Sequence, residues 1–325
     1  MSAPQPGAGA VPGPESIADR AAAVVHAAGA KGHRHEPLAK HTTMRVGGPA
    51  DVLVEARDVA TLVALVRAAR RAAVPVTVLG RGSNVVVADE GIRGLVILSK
   101  AEGCRVEDDR LIADAGLPLA RAATVAQKAG LAGLEFGLAI PGTVGGAIWG
   151  NAGAHGSDIA TVLESVNVLR TDGAEATEPA SALLLKYRDS RIKGSSGGKT
   201  TGELILTATF RLNLAHPGAV KARHEEILRW RQEHQPLNKP SAGSVFRNPP
   251  GDSAGRLIEA VGFKGRRLGG AVISEKHANF IVNEGGATAA DVHGLADTAR
   301  DAVRAQFGID LVYEVQFIGA WPDQP

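Results

Sequence analysis

The stretch "VLGRGSNVVVADEGI", residues Val78–Ile92, places a glycine-rich turn directly after an apolar run. Gly80 and Gly82 leave backbone N–H groups open to close approach, and such turns after strands commonly hold phosphate groups. The turn does not complete the G-x-G-x-x-G pattern, and no Gly-Lys-Ser or Gly-Lys-Thr follows it. The stretch alone therefore predicts phosphate binding without identifying the ligand.

The residues before this turn predict a β-α-β unit. "ADVLVEA" (residues 50–56) and "VPVTVL" (residues 74–79) are apolar, β-branched runs that are typical of strands. Between them, "DVATLVALVRAARRAA" repeats apolar residues at helical spacing, and Asp58 is a suitable N-cap. After the turn, "NVVVA" and "GLVILS" predict two further short strands. The glycine-rich turn thus follows the second strand of the unit.

The later parts of the chain mix strands and helices. A hairpin is predicted to turn at Asp108–Asp109, and the helix that follows is predicted to stop at Gly130. Pro217–Gly218 opens a charged helix that we interpret as an interdomain connection. The last hundred residues predict helices at Ser253–Val261 and Thr288–Phe307, and strands at Asn279–Val282 and Leu311–Ile318. These four elements form an α+β module.

Composition limits the class of protein. The chain has 325 residues, of which 44% are hydrophobic and 22% charged, and its net charge of +2 is too small to favour nucleic acid. A single cysteine, Cys104, excludes an internal disulfide and favours a reducing, cytoplasmic setting. No apolar run is long enough to span a bilayer, and "AAAVVHAAGA" lacks the basic start of a signal peptide. Residues 1–14, rich in Pro, Gly and Ala, predict a disordered tail.

Three glycine-rich blocks ask for a common cause. They are "HTTMRVGGPA" (41–50), "GRGSNVVVADEG" (80–91) and "IPGTVGGAIWGNAG" (140–153). Ordinary tight turns would account for each block alone, whereas a large phosphate-bearing ligand lying across several loops would account for all three. His33, His35 and His41 lie in "HRHEPLAKH", but the segment supplies no cysteine or carboxylate framework. We therefore expect a solvated loop there and no metal site.

Three polar segments could carry catalysis, although each has an ordinary structural interpretation. Ser244 in "SAGSVFRNP" is predicted on an exposed turn edge and is either a catalytic residue or a cap or turn residue. Arg188 in "YRDSR" either binds a carboxylate or phosphate, or is solvated at the surface. Glu314 in "YEVQF" shares one strand face with Gln316, and that face could be solvated. These residues alone do not select a reaction.

Taken together and in this order, the segments resemble a known family. "HTTMRVGGPA", "GRGSN", "IPGTVGG", "NAGAHG", "YRDSR", "SAGSVFRNPPG", "EKHANFIVN" and "YEVQFIG" are similar to the UDP-N-acetylenolpyruvoylglucosamine reductase (MurB) family, in its shorter branch. The resemblance implies an α+β protein with a two-part FAD-binding domain of the PCMH type over residues 15–215. Its parts would be about 15–98 and 99–215, followed by a smaller α+β substrate-binding domain over 216–325.

The resemblance also implies an activity. Members of the family reduce UDP-N-acetylglucosamine enolpyruvate to UDP-N-acetylmuramate with NADPH, through non-covalently bound FAD, in peptidoglycan precursor synthesis. The family's catalytic residues match Arg188, Ser244 and Glu314, and its substrate contacts match Asn248 and Lys264. The cofactor positions match Arg45, Gly80, Arg81, Gly82, Ser83, Asn84, Pro141, Gly142, Thr143, Gly145, Gly146 and Asn151. We expect a monomer or weak oligomer that binds neither nucleic acid nor membrane.

Several residues depart from the family pattern, and two other functions stay open. Trp149–Gly150 and His155 replace residues that are more often Tyr–Met and Tyr, Tyr313 replaces Pro, and Gln316 replaces Arg. One alternative is another FAD-dependent oxidoreductase acting on an alcohol or sugar, with flavin tethered through His41 or His155. The other is a non-catalytic nucleotide-binding module. The departures affect contacts to the substrate and leave the reaction unchanged.

Overall fold

The described structure has three lobes, and the glycine-rich turn lies in the first of them, between residues 79 and 85. A computed structural model of the chain describes residues 16–194 and 201–322, and the tail predicted over residues 1–14 lies outside them. The first lobe contains α1 Ile17–Ala27, β1 Gly32–Pro37, β2 Pro49–Ala56, α2 Val59–Arg71, β3 Val76–Leu79, β4 Val85–Val87 and β5 Ile92–Ser99. No helix in the described residues is both long and apolar enough to cross a membrane.

The predicted β-α-β unit is confirmed. β2, β5 and β3 are parallel neighbours in a sheet ordered β1-β2-β5-β3. Asp58 caps α2 by accepting a hydrogen bond from the Thr61 amide at 2.7 Å, and Leu62, Leu65 and Val66 are buried on one side of the helix. The helical spacing of apolar residues therefore identified both the helix and the face that it packs on the sheet.

The histidine-rich segment is a strand, so the predicted loop is wrong. Residues 32–37 form β1, which pairs antiparallel with β2 at the edge of the sheet and exposes His33 and His35. His41 follows in a short 3₁₀ helix, with its Nε2 atom 3.2 Å from Glu36 Oε1. Over residues 16–194 and 201–322, no cluster of His, Cys, Asp and Glu could hold a metal ion.

The second lobe is built on an antiparallel sheet ordered β12-β11-β13-β7-β6. The predicted hairpin turn is confirmed, with Asp108 in the left-handed region at φ 52°, and Gly130 ends α3 at φ 70°. The lobe contains β6 Cys104–Glu107, β7 Arg110–Asp114, α3 Leu119–Lys128, β8 Leu131–Ala132, α4 Val144–Trp149, β9 Gly153–Ala154, β10 Ser157–Asp158, β11 Leu163–Leu169, β12 Glu175–Pro179, β13 Leu204–Arg211 and β14 Asn213–Leu214.

The charged helix α5 Pro217–His234 joins the second lobe to the third and also packs on the second. Val220 and Ile227 are buried, and His224 Nδ1 lies 2.9 Å from the side-chain oxygen of Gln127 on α3. The interdomain connection predicted to open at Pro217–Gly218 is therefore a packed helix.

The third lobe contains an antiparallel sheet ordered β15-β18-β17-β16. Its elements are β15 Ser241–Ser244, α6 Ala254–Ala260, β16 Arg267–Leu268, β17 Ala271–Ile273, β18 Phe280–Asn283, α7 Ala289–Phe307 and β19 Gln316–Ile318. Four 3₁₀ helices complete the described structure, at Leu38–His41, Glu135–Ala139, Ile159–Thr161 and Ala180–Leu183.

The last strand is shorter than predicted and returns to the first lobe. Only Gln316–Ile318 is a strand, and it pairs parallel with β4 just after the glycine-rich turn. Upstream, Tyr313 makes an isolated bridge to Phe246 of the third lobe. The segment that carries Glu314 therefore lies between the third lobe and the turn. The domain boundaries at about 98 and 215 stay predictions.

Candidate active site

The two predicted cofactor loops, residues 80–84 and 141–146, lie against each other. A Cβ atom added at Gly80 would lie 2.5 Å from Thr143 Oγ1, and one added at Gly142 would lie 3.4 Å from Ser83 Oγ. Gly82 has φ +59°, and an added Cβ would lie 2.3 Å from the backbone oxygen of His41. Gly80 and Gly82 are thus needed for loop-to-loop packing, besides any approach of a ligand.

Polar groups in these loops suit a phosphate-bearing cofactor. In the described part of the chain, the N–H groups of Gly82 and Ser83 and the Ser83 hydroxyl have no hydrogen-bond partner. Thr143 caps the short helix α4 by accepting from the Gly146 amide at 3.4 Å, and Gly146 itself is exposed. Unpaired amides and a hydroxyl are the donors that pyrophosphate oxygens accept from, so the loops fit the diphosphate of FAD.

The other predicted cofactor residues differ in packing and in exposure to solvent. Gly145 packs closely, because an added Cβ would lie 2.8 Å from that of Ala115. Arg81 and Pro141 are exposed. Arg45 is exposed at φ 58° and lines an open depression of about 510 Å³ that the third lobe also lines. That depression is bounded by Arg45, Lys239, Pro240, Asn283, Glu284 and Gly285.

Asn151 is buried, and its side chain is fully used within the protein. Its Nδ2 group donates to the Lys186 carbonyl at 2.9 Å and to Asp158 Oδ2 at 3.1 Å, and its Oδ1 accepts from the Ala160 amide at 3.0 Å. Through its bond to Lys186, Asn151 therefore anchors the turn that carries Arg188.

Arg188 and Glu314 meet as an ion pair, although 126 positions separate them in the sequence (314 − 188). Arg188 Nε lies 2.6 Å from Glu314 Oε1, and the two side chains are 22% and 17% exposed. Arg188 also donates from Nη2 to the Gly153 carbonyl at 2.8 Å. Its backbone is left-handed, at φ 55°, within a tight turn between Lys186 and Asp189. The turn points the guanidinium toward Glu314.

The backbone of Glu314 is held by both neighbouring lobes. Its amide donates to the Val245 carbonyl at 2.8 Å. Its own carbonyl accepts from Asn84 Nδ2 at 3.1 Å and from Gln316 Nε2 at 2.7 Å. Asn84, one of the predicted cofactor residues, therefore links the glycine-rich loop to Glu314. Gln316, a departure from the family pattern, has a structural partner here.

Burial and the nearby cations have opposite effects on the Glu314 carboxyl. Burial raises the pKa of the Glu314 carboxyl, while Arg188, Lys193 and Arg247 act to lower it, and the balance leaves this pKa above its ordinary value. Burial and the nearby Arg247 lower the pKa of Lys193 to about 8. Sequence reasoning missed both Lys193 and Arg247. Each lies within five residues of a predicted catalytic residue, and that closeness was the available signal.

Ser244 is the last residue of β15 and lies next to both the glycine-rich loop and the segment that carries Glu314. The preceding Gly243 has φ +76°, and a Cβ added there would lie 3.9 Å from the Ser83 carbonyl. The following residue, Val245, is the one that binds the Glu314 amide. Ser244 is half-buried, and over the described residues its hydroxyl has no hydrogen-bond partner. The hydroxyl is thus free to act on a ligand.

The two predicted substrate residues are placed differently. Asn248 Oδ1 accepts from the Ala254 amide at 3.1 Å at the start of α6, and the Asn248 amide donates to the Tyr187 hydroxyl at 3.4 Å. Asn248 is therefore tied to the Arg188 turn. Lys264 forms an ion pair with Glu259 at 2.8 Å, and none of its described ion pairs or hydrogen bonds reaches the three catalytic candidates.

Gly82→Ala tests the loop packing. An alanine at φ +59° costs about 1–2 kcal/mol of backbone strain, and its Cβ would also press on the His41 carbonyl. We expect a loss of at least this much free energy of unfolding, measured by urea denaturation. Gly156→Ala is the matched control, because Gly156 has φ +82° with no atom near its Cβ position. Equal losses in the two variants would contradict the packing argument.

Comparisons with known proteins agree with this geometry. Residues 50–177 match the model of an FAD-binding domain, and residues 235–318 match that of the UDP-N-acetylenolpyruvoylglucosamine reductase C-terminal domain. A reductase of this name from Symbiobacterium thermophilum is 45% identical over 89% of this chain and 92% of its own length. Another, from Bacillus velezensis, is 41% identical over 87% of this chain and 93% of its own.

A solved structure covers the same region. The crystal structure of UDP-N-acetylenolpyruvylglucosamine reductase (MurB) from Thermus caldophilus superposes with a TM-score of 0.75 at 36% identity, over 90% of this chain and 100% of that one. These matches span both the lobes that form the cofactor loops and the lobe that carries Ser244 and Glu314. They confirm the predicted α+β fold and the FAD-binding domain, and the chain belongs to the UDP-N-acetylenolpyruvoylglucosamine reductase family.

Proposed function

We propose that this chain reduces UDP-N-acetylglucosamine enolpyruvate to UDP-N-acetylmuramate, with Arg188, Ser244 and Glu314 acting on the enolpyruvyl group. It is an FAD-dependent oxidoreductase that uses NADPH and serves peptidoglycan precursor synthesis. The observation that carries the residue assignment is the convergence at the cofactor loops. The Arg188–Glu314 pair, at 2.6 Å, is bound through the Glu314 backbone both to Asn84 and to Val245, the residue that follows Ser244.

Arg188 acts where negative charge develops. The loops 80–84 and 141–146 would hold FAD, which would supply a hydride, received from NADPH, for the terminal vinyl carbon of the substrate. Charge then accumulates on the neighbouring carbon and spreads into the substrate carboxylate. A guanidinium stays charged at any working pH and matches two carboxylate oxygens, so Arg188 holds that group and stabilises the charge. Its contacts with Glu314 and Gly153 fix its direction before substrate binds.

Ser244 supplies the proton. The carbon next to the carboxylate must gain a proton to complete the reduction, and a hydroxyl held against so basic a centre can serve as a general acid. The Ser244 hydroxyl is half-buried and has no hydrogen-bond partner within residues 16–194 and 201–322. Glu314 orients Arg188, and the surrounding cations Lys193 and Arg247 keep the charge of its carboxylate compensated.

NADPH and the enolpyruvyl substrate would occupy the same face of the bound flavin in turn. The sequence carries no dinucleotide fingerprint for a separate NADPH site. We therefore expect ping-pong kinetics, with parallel lines in double-reciprocal plots when both substrates are varied. The decrease in NADPH absorbance follows the reaction, and it must depend on the enolpyruvyl UDP-sugar. Intersecting lines would contradict alternate use of one face.

A tethered flavin would instead indicate an oxidase of an alcohol or sugar. His41 pairs with Glu36, and His155 packs edge-on against Trp230 at 5.0 Å between ring centroids. After acid precipitation we expect the flavin in the supernatant. Purified protein that neither contains nor recovers a flavin would support a non-catalytic module instead.

The setting follows from the two substrates. NADPH and UDP-sugars are cytoplasmic metabolites, so we place the enzyme in the cytoplasm, and the lone Cys104 fits a reducing compartment. We expect it to act as a monomer or weak oligomer on these small molecules. Nucleic acid and membrane are not expected partners.

A further inference from the structure

Lys193 is a buried cation to which the mechanism above gives one role only, that of compensating the charge of the Glu314 carboxylate. The residue is 8% exposed, and its ammonium donates to the Arg188 carbonyl at 2.9 Å. The same ammonium lies 4.8 Å from the centre of the Trp149 ring, within the range of a cation–π interaction. Burying a lysine is costly unless its charge is compensated, so this placement calls for a reason.

The Arg188 peptide is what Lys193 holds. The carbonyl of Arg188 accepts no other hydrogen bond in the described part of the chain. Arg188 itself is in the left-handed region, at φ 55°, which is strained for a residue with a side chain unless its surroundings fix it. The neighbouring Ser190 hydroxyl donates to the Trp149 carbonyl at 2.6 Å. Ser190 and Lys193, which both follow Arg188, therefore each tie the turn to Trp149.

Lys193 also adds charge beside the carboxylate. Glu314 and Asp189 act on Lys193 as nearby negative charges, while Arg188 and Arg247 act as positive ones. Within residues 16–194 and 201–322, these four charged groups act on the ammonium. A cation at this position favours the ionised form of Glu314, which is the form that pairs with Arg188.

We propose that Lys193 is a positioning residue of the active site, whose ammonium holds the Arg188 peptide in its left-handed turn and keeps Glu314 paired. The inference rests on the proposed function for its kinetic consequence. Its structural consequence needs no substrate. Trp149, which departs from the family pattern, provides the surface on which the ammonium rests.

The first test is hydrogen exchange on the FAD-bound enzyme without substrate. Lys193→Met keeps the length of the side chain and removes the charge, so the amides of residues 186–192 should exchange faster than in the parent chain. Lys186→Met is the matched control, because Lys186 is an exposed lysine in the same turn. Unchanged exchange in Lys193→Met overturns the proposal, whatever the substrate of the enzyme is.

The second test separates the two half-reactions by stopped flow. Losing a hydrogen bond from a charged group should slow oxidation of the reduced flavin by the enolpyruvyl UDP-sugar about 10- to 100-fold in Lys193→Met. Reduction of the flavin by NADPH should stay unchanged. Equal slowing of both half-reactions would indicate general damage and overturn the proposal. A parent enzyme that the UDP-sugar cannot reoxidise would instead overturn the proposed function.

The third test is the dependence of the flavin reoxidation rate on pH, which a lysine with a purely structural role would not alter. Because the pKa of Lys193 is lowered to about 8, its charge disappears as the pH rises through that value. Reoxidation in the parent enzyme should therefore fall on this alkaline side. Lys193→Arg keeps its charge at every such pH and should lose the alkaline fall. An unchanged fall in Lys193→Arg would contradict the role of the charge.

Discussion

Replacing Ser244 with alanine is expected to slow reoxidation of the flavin by the enolpyruvyl UDP-sugar by about 10²- to 10⁴-fold, the usual contribution of a positioned acid. Reduction of the flavin by NADPH should stay unchanged, because that half-reaction needs no proton from Ser244. Stopped-flow absorbance of the flavin measures the two steps separately. The loss should then appear in one step alone.

The stability of this variant should hardly change. Over the described residues the Ser244 hydroxyl makes no hydrogen bond, so its removal leaves no buried partner unsatisfied. Ser241→Ala is the matched control on the same strand, since the Ser241 backbone carbonyl, which accepts from Thr43 at 2.7 Å, is retained. Similar slowing of both half-reactions in Ser244→Ala would argue against a proton donor. It would indicate a disturbed cofactor site instead.

Local patterns in the sequence identified much of the fold. The β2-α2-β3 unit was predictable because apolar spacing and a capping aspartate act within a few residues. The polar strand β1 was not, since an edge strand with exposed His33 and His35 carries no alternation of apolar residues. The pairing of β19 with β4 joins segments more than 200 residues apart, and nothing local marks it.

The candidate site divides in the same way. The family resemblance alone predicts Arg188, Ser244 and Glu314 as catalytic residues, and the Arg188–Glu314 contact agrees with a shared role. Lys193 and Arg247 escaped notice because lysine and arginine are usually exposed, and their burial depends on tertiary packing. Likewise, no local pattern indicates that the Asn151 side chain is fully engaged in internal hydrogen bonds, because its partners Asp158 and Lys186 are brought to it by the fold.

Arg188→Ala should show the second large effect. Removing a preorganised charge that faces developing negative charge typically costs 10²- to 10³-fold, and we expect this loss in reoxidation of the flavin by the UDP-sugar. The variant should also lose about 1.5–3 kcal/mol of unfolding free energy, because Glu314 loses a charged partner at 2.6 Å. The remaining cations Lys193 and Arg247 keep this cost below that of a fully unpaired buried charge.

Adding Glu314→Gln to Arg188→Ala separates the two roles of the arginine. With the carboxylate gone, the double variant has no unpaired charge at this position and should recover part of the lost unfolding free energy in urea. Reoxidation should stay as slow as in Arg188→Ala, because no guanidinium faces the substrate carboxylate. Recovery of both quantities together would mean that Arg188 serves only to neutralise Glu314. Persistent instability with restored reoxidation would exclude Arg188 from the chemistry, because the double variant has no guanidinium at this position to act on the substrate carboxylate.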